Sequence, residues 1–532
     1  MKRMKKLNRC ALVMGVGGTL VAGSANLALA VENEFHVAYT ARAIVSNFDD
    51  GSCTSLGSGI GGYSSGTNGV FNKPGSYSTL LHKSHDGFLV ENKAAINYSG
   101  KVDDNLKLVA QFNIAYLFGQ GQYMEGYQNA NLKQTGYSDG GGLGGGEVNL
   151  KTKALYVDYR LDDVPVRFKV GLQPFTDAYK GTILSNVAAG IVSSYETDKF
   201  ELQAGWFRLH AVETDYGTSG SGGFGIQDGK YIDPATGKAF DDTWRTDDLY
   251  LIQGKYKATN ALTLGASFYA WQSDWKSTFN SGTGAGSTIP NSTATTAAVT
   301  GYTPLNQDDL ELYYAGANAE YKFGKGGVVD GFFVYNFGKR VNHIAKTKQD
   351  VSAFETSASA KIPVGPDGVA HSTFIYTSGD GNPNSGTRHD FGGVVNVDGM
   401  PESYFTSPNT LLMFTSQIGA VSNRNVLHSV ANEGTGITAG FVGYDHNFTK
   451  KLFTTTNIGF AAANKNPFQR LGSYIGTELS GEIGYKFKPT ATVRLQGGTV
   501  LLGSYYTGTA AEKDGSNPAN PYTARVVLSY LF

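Results

Sequence analysis

The sequence predicts an all-β fold: a transmembrane antiparallel β-barrel of about 18 strands, with 16 as the alternative, since bacterial barrels close on even strand numbers. Three observations predict it. Apolar and polar residues alternate with a period of two in segment after segment. Short turns and long polar loops take turns between those segments. Finally, charged residues are 17% of the chain, below the roughly one quarter usual in soluble domains, yet no later run reaches the roughly 18 apolar residues of a membrane helix. A wall that meets lipid on one face and water on the other averages to such a composition.

The N-terminus carries Lys2, Arg3, Lys5, Lys6 and Arg9, then an apolar run from Ala11 to Ala22, then Ala28-Leu29-Ala30. A basic cluster, an apolar core and small residues at a cleavage point describe a secretory signal peptide, so residues 1–30 are expected to be removed and 31–532 to form one barrel domain. Cys10 precedes the apolar run, where a lipid-anchored cysteine would follow it. Cleavage would leave Cys53 alone, unable to form an internal disulfide and read as an ordinary loop residue. A net charge of −1 gives no basic imbalance and excludes nucleic acid as an expected partner.

In chain order, the first strand places Phe35, Val37, Tyr39, Ala41, Ala43 and Val45 on one face against His36, Thr40, Arg42 and Ser46. The second sets Phe88, Val90, Ala94, Ile96 and Tyr98 against Glu91, Lys93 and Asn97. After a polar turn at Lys101 to Asn105, the third sets Leu106, Leu108, Ala110, Phe112, Ile114, Tyr116 and Phe118 against Lys107, Gln111 and Asn113. Further short turns fall at Asp162-Asp163, Thr197-Asp198, Thr259-Asn260, Gly324 to Gly327, Pro363 to Gly368, Thr449-Lys450 and Lys488-Pro489. Long polar segments lie between them at Asn47 to His85, Gly119 to Glu147, Ala211 to Asp247, Ser273 to Asp308 and Gly379 to Thr435. Short periplasmic turns and long extracellular loops give a barrel this rhythm. The weakest strands are Ala188 to Tyr195 and Val351 to Ile362, and they separate the two strand counts.

The last strand ends Leu528-Ser-Tyr-Leu-Phe532, with Phe532 and Tyr530 on one face. It resembles the C-terminal strand of outer-membrane proteins, which implies recognition by the barrel assembly machinery. Val148-Asn-Leu-Lys-Thr-Lys-Ala-Leu-Tyr-Val-Asp-Tyr159, Val166-Arg-Phe-Lys-Val-Gly-Leu-Gln-Pro-Phe175, Ala189-Gly-Ile-Val-Ser-Ser-Tyr195 and Phe374-Ile-Tyr-Thr-Ser-Gly-Asp-Gly381 resemble the outer-membrane homotrimeric porins in order and spacing over about half the chain. The resemblance implies a Gram-negative outer-membrane location, contact with its lipid, a homotrimer and pores narrowed by their third loop. That loop corresponds to Pro174 to Val187 and would carry Asp177 and Lys180. It is short for a deep constriction. The segment Gly379 to Thr435 is a second candidate plug, because its patch Leu411-Leu412-Met413-Phe414 must be buried in the lumen or against a neighbour.

Alternation assigns Arg42, Lys93, Lys107, Lys151, Lys153, Arg167 and Lys169 to the inner face of the first five strands. Arg494 and Arg525 join them from the last two, which lie beside the first on closure. Inner acids are fewer: Glu91, Glu482, Glu201 and Asp330. A basic wall attracts anions and slows cations. The alternative is that these cations pair with loop acids such as Asp177 and hold the loop in place. One bulge reverses any strand's assignment. Tyr98, Tyr116, Tyr156, Trp206, Tyr250, Tyr485 and Tyr530 fall on expected lipid faces near strand ends, as interfacial girdles or as plain β formers.

No phosphate-binding glycine loop or zinc-protease helix occurs, and no G-x-S-x-G is followed by a convincing triad, so neither cofactor nor catalysis is expected. His82 and His85 share a loop without the further ligands a metal needs. Asp380, Asn382, Asn384 and Asp390 offer oxygens but lack the closing glutamate of a calcium loop, and read as a polar turn. The expected function is a water-filled channel for passive diffusion of small hydrophilic solutes and ions, leaning toward anions. The alternatives are a monomeric substrate-specific channel and the barrel scaffold of a surface complex.

Overall fold

The computed structural model describes residues 32–47, 87–118, 150–213, 244–273, 308–342, 347–382, 385–394, 403, 405, 410–414, 426–427, 429–466, 472–506 and 519–532, with short paired segments at 226–227, 230–232, 239–240, 288–289 and 299–300. The signal-peptide segment, Cys53, His82, His85 and Asn384 lie outside these residues.

Eighteen strands close into one antiparallel barrel. The first six are β1 (Glu32–Ser46), β2 (Gly87–Lys101), β3 (Leu106–Leu117), β4 (Leu150–Arg160), β5 (Val166–Thr176) and β6 (Ser185–Glu196). Next come β7 (Phe200–Glu213), β8 (Trp244–Lys257), β9 (Leu262–Ser273), β10 (Asp308–Phe323), β11 (Gly327–Asn342) and β12 (Thr347–Val364). The last six are β13 (Gly368–Thr377), β14 (Ile437–Asn447), β15 (Leu452–Ala463), β16 (Tyr474–Lys488), β17 (Ala491–Leu502) and β18 (Tyr522–Leu531). The two weak segments are strands β6 and β12, so the larger count holds. Each strand pairs with its neighbours in sequence, and β18 pairs with β1 from Ala38↔Leu531 to Ser46↔Thr523. Closure leaves no edge, which is how strands satisfy their backbone groups in lipid. Asn47 fastens the outer end of the seam: its Nδ2 donates to the Asn520 carbonyl at 3.0 Å and its Oδ1 accepts from the Tyr522 amide at 2.8 Å.

The two faces of the sheet differ. Tyr250, Ile252 and Tyr256 on β8, and Ile483, Tyr485 and Phe487 on β16, are exposed on the outside. On the inside, Leu249 and Leu251 of β8, Tyr269 and Trp271 of β9, and Phe332 and Val334 of β11 are buried. They belong to one apolar cluster that also takes in Tyr179, Ile183 and Leu184 from the β5–β6 loop and Leu412, Met413 and Phe414 from the β13–β14 connection. Loops thus pack apolar side chains against part of the inner wall of the lumen. The wall members of the cluster run from Phe175 on β5 to Val500 on β17, with none from β1–β4 or β18. Other inner-face side chains remain open to water, including Lys107 (42% exposed), Lys255 (49%) and Lys322 (61%). The lumen is therefore packed in part and wet elsewhere, with open lysines on β3, β8 and β10.

Candidate functional site

The β5–β6 loop, residues 177–184, builds the narrowing. Its shortness argued against a deep constriction, yet it turns inward and crosses to the wall formed by β9–β12. Asp177 makes that turn rigid. Its Oδ1 accepts the Tyr179 amide at 2.6 Å and the Gly181 amide at 3.2 Å, and its Oδ2 accepts those of Ile183 and Leu184 at 2.7 Å each. Burial pushes this carboxyl up to about 6, while the four N–H donors hold it down from a still higher value. Asp177 thus organises its own loop and pairs with none of the wall cations, contrary to the alternative drawn from sequence. Lys180 follows with φ +61°, a left-handed conformation that costs an L-residue on the order of 1 kcal/mol. This geometry carries its ammonium to Asp330 on β11, at 2.6 Å, and to the Ser359 hydroxyl on β12. Tyr179 docks the loop beside them: its phenol oxygen accepts from Ser267 at 2.6 Å, and its ring lies 5.3 Å from that of Phe332.

The wall opposite this docking surface is basic, with one correction to its arrangement. The β3–β4 register shifts between Gln111 and Phe112, leaving Lys153 as an extra residue on β4. Lys151, on one side of the bulge, faces Asn113; on the other side, Tyr156 and Asp158 turn to the inner face, across from Val109 and Lys107. Tyr156 is therefore a lumen residue and not part of a lipid-facing girdle. Asp158, missed from sequence, is an inner acid. The conflict was written in the segment itself, where Leu155, Val157 and Tyr159 alternate out of phase with Leu150 and Thr152.

Asp158 stands among three cations. Arg167 binds it through Nε and Nη2, Lys107 Nζ lies at 3.8 Å, and Lys169 is its register partner on β5. The Lys169 ammonium also sits 6.0 Å from the centre of the Tyr156 ring. Lys153 and Arg42 lie within electrostatic reach of Lys93. Arg42 and Arg525 need correcting as members of an open basic wall, since both are buried. Arg42 is consumed by an ion pair with Glu91, itself buried, and Arg525 donates to the Thr523 hydroxyl at 3.0 Å and to the Leu411 carbonyl at 3.5 Å. Arg494 lies 4.0 Å from Glu482, which also accepts from Gln496 at 2.8 Å.

Elsewhere in the lumen two described pairs are Glu201 with Lys255 at 3.8 Å and Glu320 with Lys322 at 3.1 Å. His371 faces Asp445 through Nδ1 at 3.3 Å and Asn457 through Nε2 at 2.8 Å. Sequence alternation gave no reason to single out this group. The oxygen-rich turn is organised by an internal cation: Arg388 Nε lies 3.4 Å from Asp380 and 2.7 Å from Asp390. Among the described residues no group of three or more His, Cys, Asp or Glu side chains is placed to hold a metal ion.

No family model and no curated protein matches the chain. Solved structures with a similar backbone include the outer membrane protein OpdK of Pseudomonas aeruginosa (10% identity, 94% of this chain and 98% of that one, TM-score 0.49). OccK8 (OprE) of the same organism gives 12% identity, the same coverage and a TM-score of 0.49. OccAB1 of Acinetobacter baumannii gives 12%, 94% and 96%, and 0.47. At that identity and overlap, these likenesses carry nothing about solute or assembly.

Proposed function

We propose that the chain is an outer-membrane channel, not an enzyme, through which small hydrophilic solutes diffuse passively with a preference for anions. The observation that carries this reading is the imbalance on β2–β5. Asp158 is flanked by Lys107, Arg167 and Lys169, while Lys93 and Lys153 add positive charge on the same side. The packed loops rest on strands from β5 onward, so a solute in the lumen meets the cations of β2–β4 on an unpacked wall. Positive potential in a low-dielectric lumen concentrates anions and slows cations. The lipid belt is the exposed apolar outer face, and the expected route there is export on residues 1–30 followed by assembly on the Phe532 signature.

The test is a reversal potential under a salt gradient. Replacing Lys93, Lys153 and Lys169 with Glu is expected to move selectivity toward cations; an unchanged potential would sink the basic wall. The apolar cluster favours a second reading, a monomeric channel for one class of solute, because a lumen narrowed by packed loops admits less than an open homotrimeric porin. Small steps blocked by one solute class would establish it, whereas unblocked steps in threes would establish the trimer.

A further inference from the structure

We propose that Glu478 is a latch that holds Thr410–Phe414 as a stopper in the lumen, and that its release opens the channel. The inference rests on the channel reading above. Glu478 lies on the inner face of β16 and is 1% exposed. Its Oε1 accepts the Leu411 amide at 2.6 Å, and its Oε2 accepts those of Leu412 at 3.3 Å and Met413 at 2.6 Å. A wall carboxylate thus gathers three successive backbone donors from a segment that belongs to the β13–β14 connection. Behind them, Leu412, Met413 and Phe414 are buried, and the Phe414 ring meets Phe441 of β14 at 5.6 Å.

The Val426 and Leu427 amides donate to the Leu412 and Met413 carbonyls at 2.7 and 2.8 Å, which holds residues 426–427 alongside 412–413. The chain after Leu427 is fixed to β13, where Thr377 Oγ1 donates to the Val430 carbonyl at 2.7 Å. The stopper is therefore tied to β13 on one side and reaches β16 and β18 on the other, where Arg525 meets the Leu411 carbonyl. Against the barrel wall, the side chains of Leu412, Met413 and Phe414 pack in the apolar cluster, whose contacts are non-directional and tolerate sliding. The Glu478 contacts do not. They are charge-assisted and directional, and losing them strands three amides and a carboxylate in a dry site. Glu478 is the point at which the docked and undocked states differ most sharply.

The experiment compares the full-length channel with Glu478→Gln and Met413→Asp in planar bilayers, using only barrels that show the heat-modifiable migration of folded material. Gln keeps the shape of Glu but offers a single acceptor oxygen and turns an NH2 group on the amides. The open-to-closed ratio is expected to rise on the order of tenfold in Glu478→Gln, and Met413→Asp, which places a charge in the apolar socket, is expected to open the pore as well. A second readout uses Met413→Cys in a Cys53→Ser background, where a water-soluble thiol reagent should label position 413 faster once Glu478→Gln is added. Raised conductance in Met413→Asp with unchanged gating and labelling in Glu478→Gln overturns the latch and leaves the channel standing. No current from any folded variant overturns the channel and the latch together.

Discussion

Asp177 shows how much one side chain can decide here. A single buried carboxylate saturates both of its oxygens with four amides of a turn only eight residues long, 177–184. Without it those amides face the apolar cluster unpaired, at a cost of about 1–3 kcal/mol for each group left unsatisfied. Asp177→Ala is therefore expected to loosen the whole loop, release Lys180 from Asp330, and widen the pore. Larger unitary conductance with weaker selectivity is the expected record, and unchanged conductance would show that the loop holds its place without the carboxylate. A glycine supplies a second check at this scale. A Cβ at Gly393 would lie 2.4 Å from the Thr182 carbonyl oxygen and 2.7 Å from that of Ile183. Only a residue without a side chain lets the β13–β14 connection donate its Val394 amide to Ile183 at 2.8 Å. Gly393→Val should drive the two loops apart and open the pore in the same direction as Asp177→Ala, with the barrel itself intact by heat-modifiability.

At the scale of the element, the bulge at Lys153 settles which charges face water. One extra residue in β4 reverses the alternation beyond it, so the strand presents Lys151 on one side of the bulge and Asp158 on the other to the same lumen. Removing Lys153 should join the two halves in one uninterrupted alternation, with Lys151 and Asp158 still facing the lumen and Leu155 and Val157 still facing outward. The expected outcome is a folded, heat-modifiable barrel that keeps Asp158 beside Arg167 and Lys107, and loss of the folded form would show that the strand needs the bulge itself. The same element explains what the sequence makes legible. Strand number, hairpin order and most faces follow from period-two alternation, because lipid and water enforce it residue by residue. The inner positions of Lys93, Lys107, Arg167 and Lys169 could be read that way. Asp158 and Tyr156 could not, since a bulge leaves no residue type behind, only a clash of phase between Leu155-Val157-Tyr159 and the residues before them. Glu478 was equally invisible, because its partners are backbone amides some sixty-five residues away, in a loop without periodicity.

At the scale of the whole molecule, one seam joins the two ends of the chain. Strand β1 must wait for β18, so closure brings together segments separated by nearly the full length, and such non-local pairings form late. The seam is held by the β1–β18 ladder along its length, and Asn47 adds two side-chain hydrogen bonds at one end. Phe532 adds little to it. Its amide donates to the Val37 carbonyl at 2.9 Å, its ring packs on Tyr530 at 4.2 Å, and its side chain remains 66% exposed. Deleting Phe532 should therefore cost the finished barrel roughly one hydrogen bond, about 1 kcal/mol. If the terminal aromatic is also read during assembly, the same deletion should sharply lower the amount reaching the outer membrane. Asn47→Ala provides the contrast: a weaker seam in detergent refolding, with the signature untouched. The prediction is that the two variants separate, with Phe532 deletion refolding nearly as well as the parent in detergent yet failing in cells, and Asn47→Ala showing the larger loss in detergent. Equal losses in both assays for the Phe532 deletion would mean that the residue acts only as part of the seam.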